Sequence, residues 1–271
     1  MLYCTILFWL LAILGVLYLL ANRCRRGHPG MEALRGWSYA HRGLHGKGRP
    51  ENSMAAFRAA LEGGYGIEFD LHLLKDGNLA VIHDSALKRT TGAEGHIEEL
   101  TTEELKNYRL EGTEETIPTF RELLELYDGK APLIVELKPV GGNHAQLCET
   151  ACRMLEDYRG VYCLESFDPR CVYWLKKNRP DLIRGQLSEN FLKSDPKMSP
   201  VLRFILTHDL GNFLTAPDFI AYKYADRKLA SPCVCRSFWK AQGVSWTLRT
   251  KEEYDTAVKE GWIPIFENFI P

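Results

Sequence analysis

The chain has 271 residues, of which 45% are hydrophobic and 25% charged, with a formal net charge of −1. That is ordinary globular composition at a length one α/β barrel fills, and the near-neutral balance excludes a chain-wide field that would gather nucleic acid. Eight cysteines spread over such a length read as free thiols of a reducing compartment, not as a disulfide framework.

The first element is "LYCTILFWLLAILGVLYLLA", residues 2–21, which holds no charged side chain. As a helix it spans about 30 Å, the thickness of a bilayer's hydrocarbon core. Arg23, Arg25 and Arg26 follow it, whereas a secretory signal carries its basic residues in front, and "ANRCRR" is a poor cleavage site. Residues 1–22 therefore read as an uncleaved, single-pass membrane anchor. The positive-inside rule places the domain behind it in the cytoplasm. Residues 23–36, with "GHPGMEALRG", read as a linker.

From residue 37 to 271, short apolar strands alternate with amphipathic helices. The expected strands are 37–40, 66–73, 79–84, 132–138, 161–167, 182–188, 218–224, 243–248 and 262–266. Helical patterns such as "SMAAFRAALEGG", "TFRELLELYDG" and "KEEYDTAVKEG" lie between most of them. This alternation implies a parallel sheet covered by helices, and about eight units close into a (β/α)8 TIM barrel. An open doubly wound sheet would normally carry a glycine-rich phosphate turn after its first strand, and "HRGLHGKG" fits no such fingerprint. Residues 85–118 interrupt the rhythm. They are too polar for core and too long for a connection, so they read as a small insertion with one helix beginning at Thr101 or Thr102.

Glu68 and Asp70 sit two apart in "IEFDLHL" and so share one face of a strand. Enclosed together they repel and lose hydration unless a cation sits between them, which favours a metal site over a solvated edge. His72 continues that face, either supporting the site from behind its ligands or simply as the polar end of the strand. Glu136, in the apolar run "LIVELKP", adds a third enclosed carboxylate, and an all-oxygen set suits Mg²⁺ or Ca²⁺. Lys138 shares its face, either to meet an anion or to pair with Glu136. His41 and His83 each end an expected strand, where barrel active sites are built, and imidazole suits proton transfer near neutral pH. Asp84 is placed to orient a neighbour or to cap a turn. Arg42 offers a planar fork to phosphate oxygens. Trp246, in "GVSWTL", is a candidate apolar wall for a ligand, although a lone Trp is more often core. The inventory suits metal-assisted attack on a phosphate ester.

The combined run "HRG…PENS…EFDLHLLKDGNLAVIHD…LKRTTGAEGHIEELT…IPTF…ELK" closely resembles the glycerophosphodiester phosphodiesterase family, with fainter likeness in "ESFDP", "DFIAYKY" and "VSWTL". The resemblance implies a (β/α)8 TIM barrel with a small subdomain inserted after the second unit, which residues 85–118 match, and hydrolysis of glycerophosphodiesters to glycerol 3-phosphate and an alcohol. It implies His41 and His83 as general acid and base, and Glu68, Asp70 and Glu136 as ligands of a divalent cation. Arg42 and Lys138 match the family's phosphate-facing cations, with Glu51 and Asn52 of "PEN" in support. Ser53 stands where the family usually has threonine, and "IPIFENFIP" departs from the usual Asp-Pro or Asn-Pro ending. A membrane anchor also makes a lysophospholipid a candidate substrate. A non-catalytic anchored binding module ranks below both, because no catalytic or ligand position is missing.

Overall fold

The computed structural model describes all 271 residues. Helix α1 (Leu2–Ala21) is followed by the short α2 (Met31–Leu34), strand β1 (Tyr39–His41), helix α3 (Met54–Glu62), and strands β2 (Gly66–Leu73) and β3 (Leu79–Val81). Next come α4 (Lys88–Thr91), α5 (Phe120–Tyr127), β4 (Leu133–Leu137), α6 (His144–Leu155), β5 (Tyr162–Ser166), α7 (Pro169–Asn178) and β6 (Arg184–Ser188). The chain finishes with α8 (Phe191–Ser194), α9 (Pro200–Thr207), α10 (Asn212–Thr215), β7 (Phe219–Lys223), α11 (Ala230–Ser237), β8 (Gln242–Leu248), α12 (Lys251–Lys259) and β9 (Trp262–Phe266).

Eight of these strands are parallel, in the order β1-β9-β8-β7-β6-β5-β4-β2, and β1 pairs with β2 to close the ring. The expected TIM barrel is present. One expected barrel strand is not a barrel strand. Residues 79–84 yield only Leu79–Val81, and β3 runs antiparallel to the end of β2. Only Leu74–Asn78 separates the two strands, too little chain for a parallel crossover. That interval carries Asp76-Gly77, with Gly77 at φ +82°, so it turns back as a hairpin.

The insertion also differs from expectation. It leaves the second barrel strand through β3, and the helix of that unit, α5, comes after it. Thr101 does begin a helix, held by a reciprocal capping pair with Glu104, but Thr102–Asn107 is a tighter 3₁₀ turn. The segment has a core of its own, in which Leu87, Ile97, Leu105 and Ile117 pack against Leu74 and Ile82 at the hairpin.

Residues 23–36 are not a linker. Arg25 forks onto Asp218 at 2.5 Å and donates to the Leu182 carbonyl at 2.8 Å. Cys24, Met31 and Leu34 are buried. Met31 and Leu34 of α2 join Tyr39, Ile183, Phe219 and Ile263, the inward side chains at the N-terminal ends of the strands, and close that end of the barrel. The Tyr39 hydroxyl donates to the Leu34 carbonyl at 2.9 Å. Outward residues of the same strands, Ile67, Phe69 and Leu71, pack with Phe57 and Phe120 under the helices. The barrel is therefore apolar on its outer face and at its floor. Polar interior side chains are left for the other rim.

Candidate active site

Along several strands the inward face changes within two residues from floor to rim. Tyr39 is followed by His41, Ile134 by Glu136, Cys163 by Glu165, and Val244 by Trp246. The parallel register sets these side chains level: His41 lies beside Glu68, Asp70 beside Glu136, and Glu136 beside Glu165. Glu68, Asp70 and Glu136 converge, with one oxygen of each within 4.8 Å of the others, and all three are buried. Lys138 reaches back to within 3.2 Å of Asp70 and 2.7 Å of Glu136. Lys138 is thus the cation beside both oxygens, and neither Asp70 Oδ1 nor Glu136 Oε1 has a further hydrogen-bond partner.

The loop after β1 is shaped to bring two more groups to this rim. Arg42 and Asn52 both have positive φ, +54° and +52°, and the Asn52 amide donates to the Arg42 carbonyl at 2.9 Å. Gly43, at φ +80°, lies so close to α3 that a Cβ there would sit 2.9 Å from Ala56. Arg42 donates to Glu51 at 2.9 Å and lies 3.6 Å from Asp70. Asn52 Nδ2 donates to Asp70 Oδ2 at 2.9 Å, and Ser53 caps α3 by accepting the Ala56 amide.

His83 follows β3 on the hairpin arm. Its Nδ1 lies 2.5 Å from Asp84, and its carbonyl meets His72 Nε2 at 3.1 Å. Arg89, from the insertion, joins Asp84 to Glu51. His72 is pinned from its other side by Glu98 at 2.6 Å. The insertion thus supplies Arg89 and Glu98 as struts for His83, and His72 braces the loop instead of merely ending a strand.

Two side chains at this rim were not read from the sequence. Glu165 is buried, with Oε2 unpartnered and facing the cavity. Its signal was present in "ESF": an inward carboxylate at the end of the strand next to Glu136. Glu267 lies just past β9, in the ending that departs from the family, with Oε2 3.3 Å from His41 Nδ1 and Oε1 3.6 Å from His45 Nε2. His45 reads from sequence as loop surface, but it turns into the mouth.

The charge balance here is anionic. Burial, then the charges of Asp70, Glu136 and Glu165, raise Glu68 well above the usual carboxylate range. Burial raises Glu136 to about 7. Burial and the Glu136 charge raise Glu165. Burial also pushes Asp70 upward, but Lys138, His83 and Arg42 outweigh it and hold Asp70 far below its usual value. Burial lowers both His41 and His83, against the opposing pull of Glu267 on the former and of Asp70 on the latter. Buried carboxylates with unspent lone pairs and too few cations suit a hard divalent ion.

All ten side chains singled out from the sequence lie at this one end. Trp246 is among them. With Phe167, against which it packs edge-on at 5.5 Å, it walls a small cavity of about 40 Å³ whose other lining includes His41, His83, Glu68, Glu136 and Lys138.

A model of the glycerophosphoryl diester phosphodiesterase family matches residues 41–270. The chain belongs to that family. A Caldanaerobacter subterraneus protein named glycerophosphodiester phosphodiesterase is 30% identical over 244 residues, covering 82% of this chain and 89% of the relative. Bovine glycerophosphodiester phosphodiesterase 1 is 26% identical, covering 79% and 72%. Among solved structures, an Oleispira antarctica phosphodiesterase in complex with the product sn-glycerol-3-phosphate superposes with a TM-score of 0.71 at 21% identity, covering 87% of this chain and 94% of that one. The glycerophosphodiester phosphodiesterase of Thermotoga maritima gives 0.65 at 24% identity, covering 85% and 93%. These two likenesses agree on the barrel.

Proposed function

We propose that this family member is a divalent-cation-dependent hydrolase that cleaves glycerophosphodiesters to glycerol 3-phosphate and an alcohol, with α1 tethering it to a membrane and the barrel on the cytoplasmic side. The observation that carries the reading is the convergence of three buried carboxylates, two histidines, Arg42 and Lys138 on one cavity at the C-terminal rim. A cation held by Glu68, Asp70 and Glu136, Mg²⁺ or Ca²⁺, supplies Lewis-acid stabilisation of phosphoryl charge. Arg42 and Lys138 meet the phosphate oxygens, and Trp246 with Phe167 flanks the glycerol or alcohol side.

His41 and His83 enter from different strands, so one can take a proton from the attacking oxygen while the other gives one to the departing alkoxide. A new P–O bond forms, the P–O bond to the alcohol breaks, and water is consumed overall. Asp84 holds His83 through Nδ1, and Glu267 faces His41 Nδ1 at 3.3 Å as a charge partner, while His41 Nε2 lies 3.7 Å from Glu68 on the cavity side.

The test is release of glycerol 3-phosphate from glycerophosphocholine and glycerophosphoethanolamine by the full chain. His41→Ala and His83→Ala should each lower kcat by about 10²–10⁴-fold. Wild-type-like turnover in either variant, or turnover unchanged by a strong chelator, overturns the corresponding role. The apolar helix α1 favours a second reading, in which a membrane lysophospholipid is the substrate. Choline release from lysophosphatidylcholine but not from glycerophosphocholine would select it.

A further inference from the structure

Helix α1 does not leave the barrel on a free tether. Trp239 Nε1 donates to the Leu19 carbonyl at 2.8 Å, the Tyr18 hydroxyl lies 3.3 Å from His208 Nδ1, and Asn22 is fully buried. His208 follows directly on α9, and its ring packs 4.6 Å from Phe204. The last turn of α1 is therefore fixed against His208, in the segment between β6 and β7, and against Trp239, between α11 and β8.

That segment is patterned against water. Val201 is 70% exposed and Phe204 49%, with Leu202 and Ile205 beside them, while Arg203, the helix's one charged residue, is half-buried. Helix α10 adds Phe213 and Leu214, both about half exposed. Ile205 and Leu214 also wall a groove of about 710 Å³ against Tyr173 of α7. Phe238 is exposed next to Trp239, the residue that donates to Leu19 of α1. Contiguous apolar surface of this kind on a folded chain marks a contact with something apolar. Basic residues border it. Lys177 and Arg170 line the groove, and Lys176 donates to the Leu214 carbonyl at 2.6 Å. After partial burial, the nearby charges of Arg184, Lys177 and Arg23 lower the Lys176 pKa.

We propose that the α9–α10 face, together with Phe238, lies on the surface of the anionic phospholipid bilayer that α1 crosses. The proposal rests on reading α1 as membrane-spanning. A bilayer around α1 ends where Tyr18 and Leu19 meet the barrel, so the face is held at the headgroup level by the chain itself. Aromatic and aliphatic side chains with a basic border suit that level. The same segment begins at the catalytic rim, where Phe191 of α8 packs edge-on against Phe167 at 6.1 Å. Bilayer contact and the lip of the cavity are thus built into one βα unit.

Spin labels test this on the full chain in phosphatidylcholine–phosphatidylglycerol vesicles, with the two exposed cysteines removed as Cys4→Ser and Cys233→Ser. Labels go on Phe204→Cys and Phe213→Cys, with Leu10→Cys as a lipid reference and Glu103→Cys, on the exposed insertion, as a water reference. Collisions with oxygen, which partitions into lipid, are compared with collisions with a water-soluble nickel chelate. The oxygen-to-nickel ratio at 204 and 213 should be raised well above that at 103, toward that at 10. A lipid-like ratio at 10 with water-like ratios at 204 and 213 overturns this proposal and leaves the anchor standing. Exclusion of both reagents from 204 and 213 overturns it in favour of a second copy covering the face. A water-like ratio at 10 overturns the anchor reading, and this proposal with it.

Discussion

Glu267 shows how one carboxylate can serve a site without belonging to its ligand set. Burial opposes its ionisation, but contact with His41, and the charges of His41, Arg249 and His45, hold it down to about 2. It stays ionised across the working pH range and can fix the His41 ring. Glu267→Gln keeps the shape and removes the charge. The expected outcome is a fall in kcat of about 10-fold or more with KM little changed, and a shifted acidic limb of the pH–rate profile, read by steady-state kinetics over pH. Asp209, beside Ser188 and Ser231, carries a different pH signature. It is buried, its Oδ2 has no partner, and burial raises it to about 7. Between its unfolded value near 3.9 and about 7, the native state keeps a proton that the unfolded chain releases, so stability falls as pH rises through that window. Asp209→Asn should remove the slope, with a gain of up to about 4 kcal/mol above pH 7 that vanishes below pH 4 in thermal or denaturant unfolding. Neither residue was legible in the sequence. Glu267 sits in an ending that departs from the family, and a lone Asp in "THDLGN" reveals no burial. By contrast, Glu68, Asp70 and Glu136 were readable because carboxylates inside apolar strand runs are anomalous at once.

At the scale of elements, the segment between α1 and β1 is the largest revision. Its glycines, proline and arginines read as a linker, yet Arg25 is clamped and α2 seals the barrel floor. Asp218 is 2% exposed in its side chain, so removing its partner leaves a buried charge unpaired. Arg25→Ala should cost about 3–5 kcal/mol, and Leu34→Ala about 2–5 kcal/mol from the cavity it opens, both measured by denaturant unfolding in detergent. The physical reason the linker reading failed is that four apolar or amphipathic residues without a period carry no pattern. Only the open end of the barrel supplies something for them to cover. Arg25 and Arg26 also have structural partners, the latter stacked 5.3 Å over Trp239, so they anchor the barrel as well as flank α1. The hairpin β2–β3 makes the same point for strands. Leu79–Val81 has strand composition, but chain length before it decided its direction.

For the whole molecule, the proposed cation site predicts a link between stability and ion binding. A ligand that binds only the native state stabilises it by about 2.7 kcal/mol at a hundred times its Kd. Mg²⁺ or Ca²⁺ should therefore raise Tm in a concentration-dependent way, a chelator should reverse the shift, and Glu68→Ala should abolish it, as read by calorimetry without any substrate. The sequence by itself determined the alternation of short strands with helices that closes into a barrel, the family, the apolar leading helix and ten residues of the rim. Period-two and helical patterning, and carboxylates set in apolar runs, are local properties that survive in one dimension. Tertiary structure alone decided that β3 folds back, that residues 23–36 close the floor, that the insertion braces His83 through Arg89 and His72, and that Glu165 and Glu267 stand beside the predicted groups. Each of these depends on register between strands or on contact between segments distant in the chain, and closure of the barrel is what brings them together.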